Sequence, residues 1–185
     1  GDEGPQLPAL DVFKLMFKNP VIMTIACIEF CSGFLRQAIM QWFRTFAKQT
    51  DAILELKDSF VYENWGLLLC CAGIMGGVIA GLISDHVFQS RRGPVAGILY
   101  GGMLLGATIM TFTYNSAFVG PLVILMSMCV IGVHGMLSGT ASMDFGGKKN
   151  VGIAVGIIDG FVYSGTAFMS GLYMVIIPKD ELDTA

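Results

Sequence analysis

The sequence PVAGILYGGMLLGATIMTFTYNSAFVGPLVILMSMCVIGV, residues 94–133, runs for forty residues without a charged side chain. At about 1.5 Å per residue, one straight helix of that length would measure about twice the hydrocarbon thickness of a bilayer. The segment YNSAFVGP, residues 114–121, interrupts the run with residues that favour turns. The stretch therefore predicts two membrane helices joined by a tight turn.

The composition of the whole chain also indicates a membrane protein. Of the 185 residues, 54% are hydrophobic and only 14% are charged, and the mean hydropathy of +0.68 is well above that of an ordinary soluble domain. Five apolar runs are long enough to span a bilayer, at residues 20–46, 61–84, 94–114, 117–140 and 151–177. None shows the alternation of a membrane β-strand. We therefore predict an all-α integral membrane protein, a helical bundle with about five transmembrane helices.

Polar segments divide the chain into three parts. Residues 1–19 form a polar linker and an amphipathic lead-in, residues 20–178 form the transmembrane bundle, and residues 179–185 form a tail. The first residues lack both a starting methionine and the apolar core of a secretory signal. We expect the chain to be a segment of a longer protein.

The distribution of basic residues predicts the orientation. With the start of the chain in the cytoplasm, six basic residues lie on the cytoplasmic side and four on the other side. The first group is Lys14, Lys18, Arg91, Arg92, Lys148 and Lys149, and the second is Arg44, Lys48, Lys57 and Lys179. Because cytoplasmic loops are enriched in Lys and Arg, this orientation is favoured over its inverse.

Small residues recur four positions apart in several spans. Such spacing lets helix backbones approach closely in a membrane, and it would also let helices slide past one another. We predict tight helix crossings at four sets of glycines: Gly73/Gly77/Gly81, Gly102/Gly106, Gly135/Gly139 and Gly152/Gly156/Gly160.

The cysteines give no sign of a metal centre. All five fall inside apolar runs, at Cys27, Cys31, Cys70, Cys71 and Cys129. They form neither a CxxC pair nor a zinc-ligand spacing with histidine. We predict small buried thiols, no metal site and no cofactor.

The first span carries charges that lipid does not tolerate. In FCSGFLRQAIMQW, residues 30–42, Arg36 stands in a mostly apolar run. On a helix, five polar residues share one arc of about 140°: Glu29, Arg36, Gln37, Gln41 and Arg44. Because an ionised side chain near mid-membrane costs several kcal/mol, this polar stripe faces a partner or a water-filled cavity.

Two interpretations of Arg36 remain open from the residues alone. One is an internal salt bridge with Glu29, although their separation of seven residues corresponds to about 10 Å of helix rise, which is long for direct pairing. The other is an anion site in an aqueous cavity. A planar guanidinium suits that role because it can hold a phosphate or carboxylate through two parallel hydrogen bonds.

The fifth span carries a single acid, Asp159, on a face of small and polar residues. Within about 80° of helix surface this face includes Gly152, Gly156, Tyr163, Thr166 and Ser170. Asp159 can be a counter-charge for Arg36, a selector of a cationic or hydroxyl part of a substrate, a proton carrier, or a packing and hydrogen-bonding residue. His134, in the fourth span, is either a structural hydrogen-bond donor or a ligand.

The loop GLISDHVFQSRRG, residues 81–93, predicts a gate formed by Asp85, Arg91 and Arg92. Asp85 can pair with either arginine or accept hydrogen bonds from the amides of a neighbouring helix start, and so hold one side of the bundle shut. The basic pair alone is also explained by the enrichment of positive charge in cytoplasmic loops.

This loop resembles the cytoplasmic loop signature of major facilitator transporters, in the variant found in the organophosphate:phosphate antiporters. FLRQAIMQW, residues 34–42, is similar to the seventh-helix segment of that family. GGKKNVGIAVGIIDGFVYSG, residues 146–165, is similar to its loop and eleventh helix. The resemblance covers nearly all of residues 10–178, and it implies helices seven to eleven, in the C-terminal half of a twelve-helix bundle.

The resemblance also implies site residues and partners. Arg36 would bind phosphate and Tyr163 would line the cavity, and with Gln37, Gln41 and Asp159 they are the predicted substrate-binding residues. Gln41 departs from the acid that relatives often carry, and Asp159 from the usual small residue. The implied partners are a small anionic substrate (organic phosphate or phosphate), the lipid bilayer and the N-terminal transmembrane half of the same transporter, without nucleic acid. The implied location is the cell (inner) membrane.

The sequence therefore predicts a half-transporter whose full form exchanges a phosphorylated organic metabolite for inorganic phosphate by alternating access. A receptor-like sensor of sugar phosphate and a major facilitator transporter of a non-phosphorylated organic anion remain as alternatives. An enzyme is disfavoured because no HExxH or GxSG-type motif occurs and because the acids Glu29, Asp85 and Asp159 lie on three different spans.

Overall fold

The computed structural model describes residues 8–176, with the side chains of all of them except residues 139–149. Some predicted features lie outside this part. They are residues 1–7 of the linker, residues 177–178 of the predicted bundle, the tail at residues 179–185 with Lys179, the surroundings of Gly139, and the side-chain positions of Lys148 and Lys149.

The described residues are helical and include no strand, so the all-α prediction is confirmed. The α-helices are α1 (Ala9–Lys18), α2 (Pro20–Gln49), α3 (Asp51–Leu54), α4 (Phe60–Glu63), α5 (Trp65–Leu82), α6 (Arg92–Thr113), α7 (Val119–His134) and α8 (Ser142–Ile176). A 3₁₀ turn, Leu56–Asp58, precedes α4. Two π-helical segments follow α5 and α7, at Ile83–Val87 and Gly135–Ala141.

Five of the described helices are long and apolar enough to cross a membrane, as predicted. They cover Pro20–Gln49, Trp65–Val87, Arg92–Thr113, Val119–Ser138 and Asn150–Ile176. Their outward-facing side chains are large and apolar, and on α6 Leu104 and Phe112 are 71% and 83% exposed. Lipid accommodates such a surface and water does not. The protein is therefore a multi-pass membrane protein.

Two predicted boundaries are wrong. The prediction starts the second span at residue 61, but α5 begins at Trp65. The preceding residues form the separate turn α4, capped by the Ser59 hydroxyl, which accepts a hydrogen bond from the Tyr62 amide at 3.3 Å. The prediction starts the fifth span at residue 151, but α8 begins at Ser142, and no proline interrupts its sequence.

The long helices pack in two groups. In the first group, α2 packs extensively along α8 and α1 contacts both. In the second group, α7 packs against α5 and α6. The groups meet where α2 contacts α7 and where the π-helical segment after α7 contacts α8. Helix α7 is the most enclosed span, since 56% of its most apolar stretch is buried, against 17% to 33% in the other four spans.

Glycines allow the backbones to touch where helices cross. At the α2–α8 crossing, a Cβ atom at Gly33 would overlap the carbonyl oxygen of Val162, and Gly165 lies equally close to the backbone of α2. At the α5–α7 crossing, Gly76 and Gly132 face each other's helix in the same way. Each crossing therefore requires a residue without a side chain at its point of contact.

Most of the named glycines do not form helix crossings within the described part of the chain. An added Cβ would meet open space at Gly77, Gly81, Gly135, Gly152, Gly156 and Gly160. Gly73 and Gly102 make only ordinary side-chain contacts, at 3.4 Å and 3.5 Å, whereas Gly106 is tight against the Met126 side chain, at 2.8 Å. The reason is geometric: helices that cross at an angle touch at one point, so a row of small residues is not needed.

The prediction of buried thiols is wrong for four of the five cysteines. Cys129 is buried, whereas Cys27, Cys31, Cys70 and Cys71 are exposed on the outside of the described bundle. An apolar run in a membrane helix has one side toward protein and another toward lipid, so its apolar character alone does not predict burial within protein.

Helix α1 packs beside the α2–α8 pair. Val12 and Met16 are 3% and 4% exposed and belong to one apolar cluster with Ala154 and Ile158 of α8. The opposite face of α1 leaves Leu10 66% exposed. The lead-in is thus an amphipathic helix that extends the first packing group.

Candidate functional site

A cavity of about 800 Å³ opens between α2, α5 and α8. From α2 it is lined by Gln37, Gln41, Arg44 and Lys48, whose spacing of three or four residues places them on one face of the helix. Helix α5 contributes Trp65 at its start. No acidic side chain lines the cavity in the described part of the chain. The predicted residues Gln37 and Gln41 therefore lie together in a basic, acid-free cavity.

Hydrogen bonds fix the wall of the cavity between α2 and α8. The Gln37 amide Nε2 donates to Ser170 Oγ at 3.3 Å, and Ser170 Oγ donates to the Thr166 carbonyl oxygen at 3.0 Å. The Thr166 hydroxyl donates to the Gly33 carbonyl oxygen at 3.3 Å. This polar seam holds Gln37 in place at the cavity surface.

The charge and hydroxyl groups of the cavity suit an anion. The Arg44 guanidinium lies 5.7 Å from the centre of the Tyr62 ring, a cation–π contact that positions the side chain without neutralising it. On α8, the Tyr173 hydroxyl is buried and has no hydrogen-bond partner among the described residues. Cationic side chains together with an unsatisfied hydroxyl attract and bind anionic groups.

Arg36 is half-buried on α2 and, unlike its sequence neighbour Gln37, is not among the residues that line this cavity. Its Nε atom is buried and has no hydrogen-bond partner in the described part of the chain. The ion pairs found among the described side chains do not include Arg36, so a direct salt bridge with Glu29 is not observed. A buried donor without a protein partner is available to a ligand.

Glu29 pairs instead with His134. The Glu29 side chain is 0% exposed, and its Oε2 accepts a hydrogen bond from His134 Nδ1 at 2.8 Å. His134 is thus a hydrogen-bonding partner within the protein. Sequence reasoning missed this pair because its members are 105 residues apart. The available signal was two isolated titratable residues in apolar spans, which does not reveal that α2 and α7 meet there.

Asp159 and Tyr163 lie on α8, and neither lines the cavity. Asp159 is half-buried and accepts a hydrogen bond from Ser138 Oγ, a contact that requires the chain to fold back after α7. Asp159 is also near enough to Glu29 to interact with it electrostatically. Tyr163, one turn further along, is 63% exposed.

The predicted gate lies between α5 and α6. Asp85 Oδ1 accepts a hydrogen bond from Ser90 Oγ at 3.0 Å. Gln89 and Ser90 adopt left-handed backbone conformations, with φ of 51° and 63°, and turn the chain sharply toward the start of α6 at Arg92. Arg91 is exposed, and no ion pair with Asp85 is found among the described residues. A gate formed by Asp85, Arg91 and Arg92 stays a prediction.

Comparison with known proteins agrees with the membrane fold. Among curated proteins, the chain is 28% identical over 177 residues to the glycerol-3-phosphate transporter of Bacillus subtilis. It is 26% identical over 160 residues to a probable hexose phosphate transport protein of Chlamydia pneumoniae, and 25% identical over 168 residues to the membrane sensor protein UhpC of Escherichia coli. No solved structure matches the chain.

These alignments cover 91%, 85% and 89% of the chain but 37%, 34% and 37% of the relatives, so the chain spans about a third of their length. The relatives are consistent with the predicted organophosphate:phosphate antiporter family. Residues 1–170 match the family described as the Major Facilitator Superfamily. This match covers most of the 185 residues of the chain. The chain therefore belongs to the major facilitator superfamily.

Proposed function

We propose that the full-length protein containing this chain carries a phosphorylated organic metabolite across the membrane in exchange for inorganic phosphate, by alternating access. The observation that supports this most directly is the half-buried Arg36, whose Nε has no partner among the described residues and whose neighbour Gln37 lines an acid-free cavity. Two relatives are named as glycerol-3-phosphate and hexose phosphate transport proteins, which points to the same substrate class. The protein moves its substrate unchanged and catalyses no reaction.

In this proposal, the α2 face binds the anion. The Arg36 guanidinium holds two phosphate oxygens through parallel hydrogen bonds, and the amides of Gln37 and Gln41 donate to the remaining polar groups of the substrate. Arg44 acts at longer range, because its charge raises the local concentration of anions in the cavity.

The five spans of this chain correspond to helices seven to eleven, and the N-terminal half of the transporter completes the site. Asp159 and Tyr163 contact the organic part of the substrate on the face that this half covers. The protein lies in the cell (inner) membrane with the start of this segment in the cytoplasm, as the distribution of basic residues favours. Asp85, Arg91 and Arg92 then form a cytoplasmic gate that opens on one side at a time.

The decisive experiment is phosphate exchange by the full-length protein in lipid vesicles, with wild type compared with Arg36→Lys. Lysine keeps the charge but loses the planar fork, so exchange is expected to fall about tenfold or more. Arg44→Lys is the matched substitution on the same helix face, and it retains most of the exchange because Arg44 contributes charge only. Near-normal exchange by Arg36→Lys would show that transport does not need two parallel hydrogen bonds from Arg36 to phosphate.

A sensor of sugar phosphate is the second candidate, because one relative is named a membrane sensor protein. The two functions differ in flux and not in recognition. A sensor binds sugar phosphate and moves little of it, whereas a transporter exchanges it for phosphate many times per binding site. Measuring sugar-phosphate binding and phosphate exchange on the same vesicle preparation separates them.

A further inference from the structure

The contact between Glu29 and His134 is the most buried ionic contact in the described part of the chain, and the proposed transport function does not use it. Glu29 is 0% exposed. Its second oxygen, Oε1, is buried and has no hydrogen-bond partner among the described residues. Burying an ionised carboxylate with one oxygen unsatisfied is costly, so a nearby positive charge would stabilise it strongly.

The chemistry of the contact determines where a further proton can bind. An ionised carboxylate only accepts hydrogen bonds, so His134 Nδ1 carries the hydrogen that it donates to Glu29 Oε2 at 2.8 Å. The other ring nitrogen, Nε2, makes no hydrogen bond within the described residues, and the His134 side chain is 25% exposed. A proton from water can therefore bind Nε2 and convert the imidazole into an imidazolium beside the carboxylate.

Titratable or charged groups face Glu29 from the helices packed around it. Arg36 lies two turns further along α2, His134 ends α7, and Asp159 lies on α8. From α6, Tyr100 donates its hydroxyl to a backbone carbonyl of α2 at 3.2 Å. With a neutral imidazole, the two carboxylates exceed the single guanidinium by one negative charge, and one bound proton makes the cluster neutral.

We infer that the Glu29–His134 pair is a proton-binding site, and that an anion bound at Arg36 increases the affinity of this site for the proton. The second part rests on the proposed function. An anion at Arg36 pairs with the positive charge that otherwise offsets the negative charges of Glu29 and Asp159. Uptake of a proton by the Glu29–His134 pair then compensates the added negative charge. By linkage, the bound proton strengthens anion binding by the same factor.

The proton site is tested first by infrared difference spectroscopy on the purified full-length protein, between about pH 8.5 and about pH 5.5. Wild type is expected to show carboxylate and imidazole bands that titrate in this range, and Glu29→Gln and His134→Gln are each expected to lose the component of these bands that the pair contributes. Two variants are used because either substitution alone can impair folding. Glu63→Gln, an exposed acid on α4, is the control that keeps the wild-type spectrum. Unchanged bands in both cluster variants would overturn the proton site.

The coupling is tested by the affinity for inorganic phosphate over the same pH range. Wild type and Glu63→Gln are expected to gain about tenfold more affinity on acidification than Glu29→Gln does. Phosphate itself titrates in this range, so the result is the difference between variants measured on the same phosphate. Equal pH profiles would overturn the coupling. A wild type that binds no phosphate while its infrared bands still titrate would overturn the proposed function and leave the proton site standing.

Discussion

At the scale of a single residue, Gly33 determines how closely α2 and α8 approach. A methyl group at this position would occupy the space of the Val162 carbonyl oxygen, which belongs to helix backbone and cannot rotate away. We expect Gly33→Ala to lower the free energy of unfolding by about 1–3 kcal/mol, because the helices have to separate locally. Thermal unfolding of the full-length protein in detergent measures this effect.

The matched control for Gly33→Ala is Gly101→Ala on α6, where an added Cβ meets nothing within 4 Å. Alanine has the higher helix propensity, so this variant is expected to unfold at the wild-type temperature or slightly above it. Equal losses of stability in the two variants would show that the crossing at Gly33 does not limit packing.

Residue-level features were predictable where they depend on one helix. The periodicity of α2 places Gln37 and Gln41 on one face, and both line the cavity. The partner of Glu29 was not predictable, because it depends on which part of α7 meets α2, and that is decided by packing between segments 105 residues apart in the chain. For the same reason the sequence did not reveal that Arg36 lacks a direct carboxylate partner among the described residues.

At the scale of an element, the docking of α1 depends on its buried face. Val12 is 3% exposed and packs in an apolar cluster with Ile22 and Ala154. We expect Val12→Asp to detach α1, because it places an unpaired carboxylate in that cluster. Proteolytic cleavage within α1, followed in the full-length protein, should become about tenfold faster, which corresponds to about 1.4 kcal/mol of lost docking.

Leu10→Asp provides the comparison for α1, since Leu10 is 66% exposed on the opposite face. Cleavage of this variant is expected at the wild-type rate. If both variants are cleaved equally fast, the acid acts by weakening the helix itself and not by breaking its contact with the rest of the bundle.

Membrane helices themselves were predictable because long uncharged runs have few other stable conformations in lipid. Their ends were less predictable. The break before Trp65 depends on the Ser59 cap and the short turn α4, and the helical start of α8 depends on residues that also occur in loops. Crossing points were not predictable from glycine spacing, because contact between tilted helices selects single positions such as Gly76 and Gly165.

At the scale of the whole molecule, the positive charges of the cavity should attract anions from solution and raise their local concentration. Arg44→Gln removes a positive charge from the cavity wall. In phosphate exchange by the full-length protein at low salt, we expect the KM for phosphate to rise several-fold with little change in kcat, because Arg44 attracts the anion before Arg36 binds it. The difference should shrink as added salt screens the charge.

Lys57→Gln is the matched control for the loss of a cation outside the cavity. Lys57 is paired with Asp51 at 3.1 Å in the segment that follows α2. The KM of the Lys57→Gln variant for phosphate is expected to equal that of wild type at every salt concentration. A rise in KM with Lys57→Gln as large as that with Arg44→Gln would mean that the overall charge of the protein, and not the cavity, sets the affinity.

The arrangement of the bundle in two packing groups has a mechanical consequence. The groups join where α2 meets α7 and where the π-helical segment after α7 contacts α8, and the Glu29–His134 hydrogen bond spans the contact between α2 and α7. The bond therefore opposes any separation of α7 from α2. If α5, α6 and α7 rotate as one body against α2 and α8, the Glu29–His134 hydrogen bond has to stretch or break, whichever direction the rotation takes.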